Sequence, residues 1–369
     1  MDALTRDRRR RREIEALLVL ESLPGVGPRR VRTLIQEAGS AVRALASTSL
    51  LAARAGGRAA AAAADPERRA AARQAVGGAL SLGMGVLAIF DEAYPTSLRH
   101  LADPPPVLFL RGRRALLGTP GVAVVGSRKA TARARDVSFQ LGRALAEEGI
   151  PVVSGLALGV DGAAHRGAVE GRGPTVAVLG TGADRAYPSS HRTLFRRIVE
   201  TGLVVSEFPP GTPALPHHFP RRNRILAALA HTLVVVEAAS RSGALISVDH
   251  ALDLGLDVWA VPGPIQEPAC AGSNALLADG ARPLVSVDAF LQAVAGTAPR
   301  AAEEALDGVA ADAGPEARVL EALSQGGRSA DEVARVTGLP TARALSLLSA
   351  LELEGRVQRI PGMRFRKAG

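Results

Sequence analysis

The chain is poor in cysteine, lysine and aromatic rings. A single cysteine, Cys270, excludes an internal disulfide and any zinc site built on a cysteine cluster. Lysine occurs only at Lys129 and Lys367, so the positive charge rests on arginine. Aromatic residues make up 3% of the chain, so an aromatic beside a cationic cluster stands out. No apolar run approaches a membrane-spanning helix. The arginines of the first twelve residues are followed by Glu13 and Glu15 rather than by the apolar stretch of a secretion signal. No Gly-x-Gly-x-x-Gly with a ribose-binding acid behind it follows the first buried strand, so a dinucleotide fingerprint is absent. A cytoplasmic protein without metal or cofactor is expected.

What the chain does have is charge and a repeated turn. The net charge of +9 at pH 7 points to a polyanionic partner such as nucleic acid. Arginine, alanine, glycine and leucine are all abundant, however, so compositional bias explains part of the excess and the location of the arginines has to decide. A length of 369 residues implies two or three domains.

The most informative stretch runs from Val122 to Asp161. The apolar run Val122-Ala123-Val124-Val125-Gly126 passes directly into Ser127-Arg128-Lys129, which reads as strand, tight turn and helix. Pro151-Val152-Val153 repeats the pattern and ends in Ser154-Gly155-Leu156-Ala157-Leu158-Gly159. Further buried strands are expected at Thr175–Leu179, Leu203–Glu207, Leu233–Glu237 and Val258–Val261. Alternating helices and continuous apolar strands predict a largely parallel sheet covered on both faces, with ligands at the carboxyl ends of its strands. Backbone amides at Gly126, with the Ser127 hydroxyl and Arg128, would favour phosphate there. The Gly155 bend, and Ser242-Gly243 after a later strand, would add two further anion nests on the same edge. Three such turns suit a polynucleotide better than a mononucleotide.

A second cluster is Phe219-Pro220-Arg221-Arg222-Asn223-Arg224. A ring offers a stacking face for an unpaired base, and guanidinium groups hold successive phosphates. The bland alternative is a Phe that anchors a loop beside structural ion pairs. Density of cations in a chain with few aromatics favours the binding role.

The flanks differ in pattern. Residues 1–75 read as helices, and Leu23-Pro24-Gly25-Val26-Gly27-Pro28-Arg29-Arg30 is similar to the hairpin of helix-hairpin-helix modules, which either approach DNA phosphate or pack against protein. Arg8 to Arg12 read as a solvated block. Ala59 to Ala64 are expected to form a helix or helical linker. Residues 76–296 hold the α/β pattern, 297–315 a linker, and 316–369 three helices with a basic hairpin, as in a winged helix. Ser329-Ala330-Asp331-Glu332 is a capping-box start, and a further helix is expected from Pro340 through Leu353.

These motifs carry a resemblance. Val124-Val125-Gly126-Ser127-Arg128, Ser154-Gly155-Leu156-Ala157 with Gly159-Val160-Asp161 and Ala164-His165, and Gly180-Thr181-Gly182 with Tyr187-Pro188 resemble the DNA-processing protein A family (DprA, also called Smf). So do Ser206-Glu207-Phe208-Pro209-Pro210-Gly211, Phe219 to Ile225, Ser242-Gly243-Ala244-Leu245, Pro262-Gly263 and Gly272-Ser273-Asn274. The match spans about residues 80–290. It implies an extended Rossmann-like core, flanked by a helix-hairpin-helix or SAM-like domain and a winged helix. It also implies a homodimer that binds single-stranded DNA and hands it to RecA during natural transformation, with no enzymatic activity. On that likeness Ser127, Arg128, Gly155, Phe219, Arg222, Asn223 and Arg224 line the strand. The terminal modules are candidates for duplex DNA. Some relatives place a basic residue just before the Phe, where this chain has Pro216-His217-His218; Arg221 is the candidate to replace that charge.

Two other classes fit less well. A phosphoribohydrolase of the lysine-decarboxylase-like type carries a Pro-Gly-Gly-x-Gly-Thr turn, and the corresponding turn here is Ser240-Arg241-Ser242-Gly243-Ala244. Asp161 and His165 stand four apart on one helix face and could pair for acid–base work, but bracing of the Ser154–Gly159 loop is the favoured reading. His217-His218 is not a chelating pair. A transcription regulator would use the winged helix on duplex DNA.

Overall fold

The computed structural model describes residues 3–295 and, beyond them, 319–320, 322–323, 328–337, 347–348, 351–352, 356–360 and 364–367. The expected linker at 297–315 lies outside the described residues, as does most of the helix expected from Pro340. The chain divides into two compact units, residues 1–301 and 302–369.

The first unit begins with helices: α1 (Ala3–Ser22), α2 (Pro28–Ala38), α3 (Ala41–Ala46), α4 (Thr48–Ala55), α5 (Gly57–Ala62) and α6 (Pro66–Ser81). The second half of α1 is buried almost all round, through Ile14, Ala16, Leu17, Leu18, Val19 and Leu20, so α2, α3 and α6 pack around it. Ala59, Ala60 and Ala63 of the alanine run are buried, because methyl groups let backbones approach closely. Asp65 caps α6 by accepting the Glu67 amide at 2.9 Å, and Pro66 sits in its first turn. These helices do not have a core of their own. Leu17, Leu20, Val76 and Met84 share one buried cluster with Phe109, Ile198 and Val204 of the α/β part.

The sheet follows as β1 (Gly85–Ala88), α7 (Thr96–Arg99), β2 (Val107–Gly112), β3 (Gly121–Val125), α8 (Ala132–Glu147), β4 (Val152–Ser154), α9 (Val160–Glu170) and β5 (Thr175–Val178). It continues through α10 (Arg192–Thr201), β6 (Leu203–Ser206), α11 (His218–Ala228), β7 (Ala230–Val235) and α12 (Leu245–Asp253). It ends with β8 (Asp257–Ala260), α13 (Ala271–Ala278), β9 (Arg282–Pro283) and α14 (Val287–Ala295). The spatial order is β1-β2-β6-β5-β4-β3-β7-β8-β9. From β6 to β9 all neighbours are parallel. β1 and β2 form an antiparallel pair at one edge, and β2 is antiparallel to β6. Strands β3, β4, β5 and β6 are buried throughout, as a sheet covered on both faces requires.

After β3 the chain builds outward through β4, β5 and β6, then returns to lay β7 on the other side of β3. The winding direction reverses there. The loops leaving β3 and β7 diverge and open a crevice at the carboxyl ends of the strands.

In the second unit, β10 (Arg328–Ser329), β11 (Val357–Ile360) and β12 (Arg364–Lys367) form a sheet in the order β10-β12-β11 beside α15 (Ala330–Thr337). The expected capping box is present: the Ser329 amide donates to Glu332 Oε2 at 2.8 Å and the Glu332 amide to Ser329 Oγ at 3.2 Å. Val319, Leu323, Val333, Leu348 and Phe365 form its core.

Candidate nucleic-acid interface

A cleft of about 640 Å³ occupies the crevice. One wall is the turn after β3. Gly126 lies so close to α9 and the β7 loop that a Cβ there would stand 2.6 Å from Val160 Cγ2 and 2.8 Å from Glu237 O. The Ser127 amide donates to Glu237 O at 2.7 Å, and the Lys129 amide to Ser127 Oγ at 3.1 Å. Thr131 bonds the buried Glu237 carboxylate through its amide (3.2 Å) and hydroxyl (2.7 Å). The turn is thus locked, and much of its hydrogen-bonding capacity is spent inside the protein. The turn also presents the exposed Arg128 and Lys129 side chains to the cleft.

The second bend is also filled from within. Asp161 Oδ2 accepts the amides of Gly155 (3.1 Å) and Ala157 (3.3 Å). Gly155 therefore does not line the cleft; it lies beneath Arg222, which does. Arg222 Nη1 donates to Gly155 O at 2.8 Å and also to Val178 O, while Nε donates to Asn223 Oδ1 at 2.9 Å. Arg222 Nη2 stands 3.7 Å from Asp161 Oδ2. Burial pushes the Asp161 carboxyl up, and Arg222 and the two amides oppose that shift. Arg222 is only 4% exposed. It is the floor of the cleft rather than a free hand for phosphate. At the third bend, Ser242 and Gly243 border the cleft, but the Ser242 amide donates to Ala239 O at 2.9 Å and Ser242 Oγ accepts from the Ala244 amide at 3.3 Å.

The opposite wall is α11. Phe219, Arg222, Asn223 and Leu226 all line the cleft, at the spacing i, i+3, i+4, i+7 that marks one helix face. The Arg128 guanidinium lies 4.8 Å from the centre of the half-buried Phe219 ring, within cation–π range. Tyr187, from the loop after β5, stands 5.5 Å from Phe219 between ring centres. The cleft thus brings the cations Arg128 and Lys129 together with the rings of Phe219 and Tyr187.

Arg221 and Arg224 fall on other faces of α11, and both expectations for them are corrected. Arg224 is 3% exposed, with Nε 3.0 Å from Asp103 and Nη2 2.7 Å from the buried Glu207. Arg221 bridges Glu207, at 2.8 Å, and Glu21 of α1. It therefore does not replace the missing basic residue ahead of Phe219. At that position His218 is buried, stacked on Phe208 with ring centres 3.9 Å apart, and Nδ1 is 3.1 Å from Gly180 O. His165 bonds Thr175 Oγ1 at 2.7 Å, and burial pulls its imidazole down to about 3. Asp161 braces the Ser154–Gly159 loop, as the sequence suggested.

Tyr187 is the lining residue that sequence reasoning passed over, quoting it only as part of a motif. Its signal was available: it is one of two tyrosines in the chain and follows a Gly-Thr-Gly turn at a strand end. Away from the cleft, Arg29, Arg30 and Arg32 are exposed on α2. Residues 1–81 hold 15 arginines against 8 carboxylates, a net +7 of the chain's +9. In the second unit Arg364, Arg366 and Lys367 are exposed on β12.

Comparison with known proteins follows this geometry. The family model described as DNA recombination-mediator protein A matches residues 85–295, and the DprA winged helix domain model matches residues 297–363. Protein Smf of Escherichia coli is 35% identical over 286 residues, covering 75% of this chain and 76% of that protein. The X-ray structure of DNA processing protein A (DprA) from Streptococcus pneumoniae superposes with a TM-score of 0.65 at 34% identity, covering 75% of this chain and 95% of that one. DNA processing protein A from Helicobacter pylori, whose structure is described for its unique single-stranded DNA binding mode, gives a TM-score of 0.53 at 28% identity, covering 58% of this chain and 97% of that one.

Proposed function

The chain belongs to the DNA recombination-mediator protein A family, and on that premise we propose that its cleft binds single-stranded DNA, which the protein protects as a homodimer and passes to RecA during recombination. One observation carries the choice of single over double strand. The cleft gathers the cations Arg128 and Lys129 and the rings of Phe219 and Tyr187 in one lining. An unpaired strand has a charged backbone and open base faces to match these two kinds of side chain, whereas a duplex hides its base faces. Phosphate is held by side-chain cations on a rigid turn, with Ser127, Ser242 and Gly243 shaping the rim. Phe219 and Asn223 line the base side. Gly126, Gly155, Arg222 and Arg224 keep the walls in place.

The site reads as a binding surface rather than a catalytic one. Asp161 is engaged by two backbone amides and Arg222, and His165 by Thr175, so neither is free for the acid–base role weighed from the sequence. Base release from a nucleoside monophosphate is expected to be nil.

The test compares an oligothymidine with a duplex of equal length by fluorescence anisotropy across a salt series, with mass measurement of the free protein and the complex. Preference for the single strand, weakening as salt rises, supports the reading, as does a dimeric mass. Equal or stronger duplex binding overturns it. RecA transfer is read separately, as faster RecA nucleation on the single strand when the protein is bound; no acceleration removes that part.

A further inference from the structure

We propose that Tyr187 is a base-stacking residue of the cleft, a second aromatic platform beside Phe219. The inference rests on the single-strand reading above.

Phe219 is hemmed in. Arg128 lies against its ring at 4.8 Å, and its Cδ1 would stand only 3.0 Å from a Cβ at Gly180. Tyr187 is the open ring: it is 46% exposed and lines the same cleft. The chain's other tyrosine shows what a structural one looks like here. Tyr94 is 2% exposed, and its hydroxyl donates to Pro105 O at 2.8 Å. Among the described residues Tyr187 has no such bond, and its ring pairs with that of Phe219, tilted by 36°.

The exposure is not that of a loose loop tip. Ala186, the preceding residue, packs against the main buried cluster. The loop is pinned by Thr181 Oγ1 donating to Arg185 O at 3.1 Å, and by Asp184 Oδ1 accepting the Gly211 amide at 2.9 Å. Four residues beyond Tyr187, His191 Nδ1 sits 3.1 Å from Leu156 O. The loop that carries the ring is therefore held in place before ligand arrives, which lowers the ordering cost of binding. Arg128 and Tyr187 both neighbour Phe219, so a cation and two rings stand together, the side-chain types that an unpaired strand engages.

The test uses full-length protein and an oligothymidine carrying 5-iodouracil. Irradiation is expected to cross-link the wild type through the peptide that holds Tyr187. Tyr187→Ala is expected to weaken oligothymidine binding roughly 5- to 150-fold without changing the melting temperature, and Tyr187→Phe to bind as the wild type does. Wild-type binding with Tyr187→Ala unaffected, or with no adduct at that peptide, overturns the inference and leaves the single-strand reading standing. Equal losses in Tyr187→Phe and Tyr187→Ala also overturn it, because the ring would then not be the contact. A wild type that ignores the oligothymidine overturns both.

Discussion

Arg222 occupies the space that a side chain at Gly155 would fill. A Cβ on Gly155 would fall among the guanidinium atoms, and that guanidinium is bonded to Gly155 O and Val178 O beneath the cleft. Glycine is required here by close approach, since Gly155 does not adopt a left-handed conformation.

Gly155→Ala is expected to expel Arg222 from its bonds and leave Asp161 without its cation. A stability loss of about 1–3 kcal/mol follows from unmade buried hydrogen bonds, together with weaker oligothymidine binding as the floor moves. Denaturant unfolding and anisotropy on the same preparation check it. An unchanged midpoint would mean that Arg222 relocates without cost.

Arg128→Ala removes an exposed cation that also lies over Phe219. Binding to the single strand should weaken, and the slope of log affinity against log salt should become shallower by about 1, the signature of one lost phosphate contact. The melting temperature should stay where it was. A weaker complex with an unchanged slope would assign Arg128 to ring packing alone.

Arg224→Ala should behave in the opposite way. Arg224 is buried against Glu207 and Asp103; removing one partner from a buried ion pair costs up to about 3–5 kcal/mol, here reduced because Arg221 still pairs with Glu207 at 2.8 Å. Thermal unfolding should show the loss. The salt dependence of binding by the protein that remains folded should match the wild type, because no phosphate contact has gone. A changed salt slope would return Arg224 to the cleft.

His165 predicts an acid-side stability loss. Its folded-state value is pulled down to about 3 by burial, so the folded protein holds it neutral while the unfolded chain protonates it near its ordinary value. The unfolded state binds the extra proton as pH falls through about 6.5. Stability from this group is complete above that pH and declines below it, by at most about 1.4 kcal/mol per pH unit, until about pH 3. Between pH 7 and 5, roughly the window above carboxylate titration, the urea midpoint of the wild type should fall steadily relative to that of His165→Asn. Parallel curves would show that His165 titrates normally.

Much of this architecture was readable without coordinates. The apolar runs ending in glycine marked the parallel strands, because strands buried on both faces need continuous Val, Ile, Leu and Ala. Their alternation with helices placed the crevice at the carboxyl edge. The capping box at Ser329 and Glu332 formed as its spacing implied. Apolar runs at residues 86–90 and 107–110 also marked β1 and β2, but their antiparallel pairing and the core shared between the N-terminal helices and the sheet had no local signal, since both depend on contacts between distant segments.

By itself, then, the sequence determined the element types, the edge that carries the site and the residue classes found there, because periodicity and turn chemistry are local. Only the tertiary structure decided which members of a cluster face the cleft. Arg221, Arg222, Asn223 and Arg224 are consecutive on a helix, where neighbours diverge by about 100°. They cannot all share one face. Packing of α11 turned Phe219, Arg222 and Asn223 to the cleft, gave Arg221 to Glu21 and Arg224 to Glu207, and brought Tyr187 in from another loop.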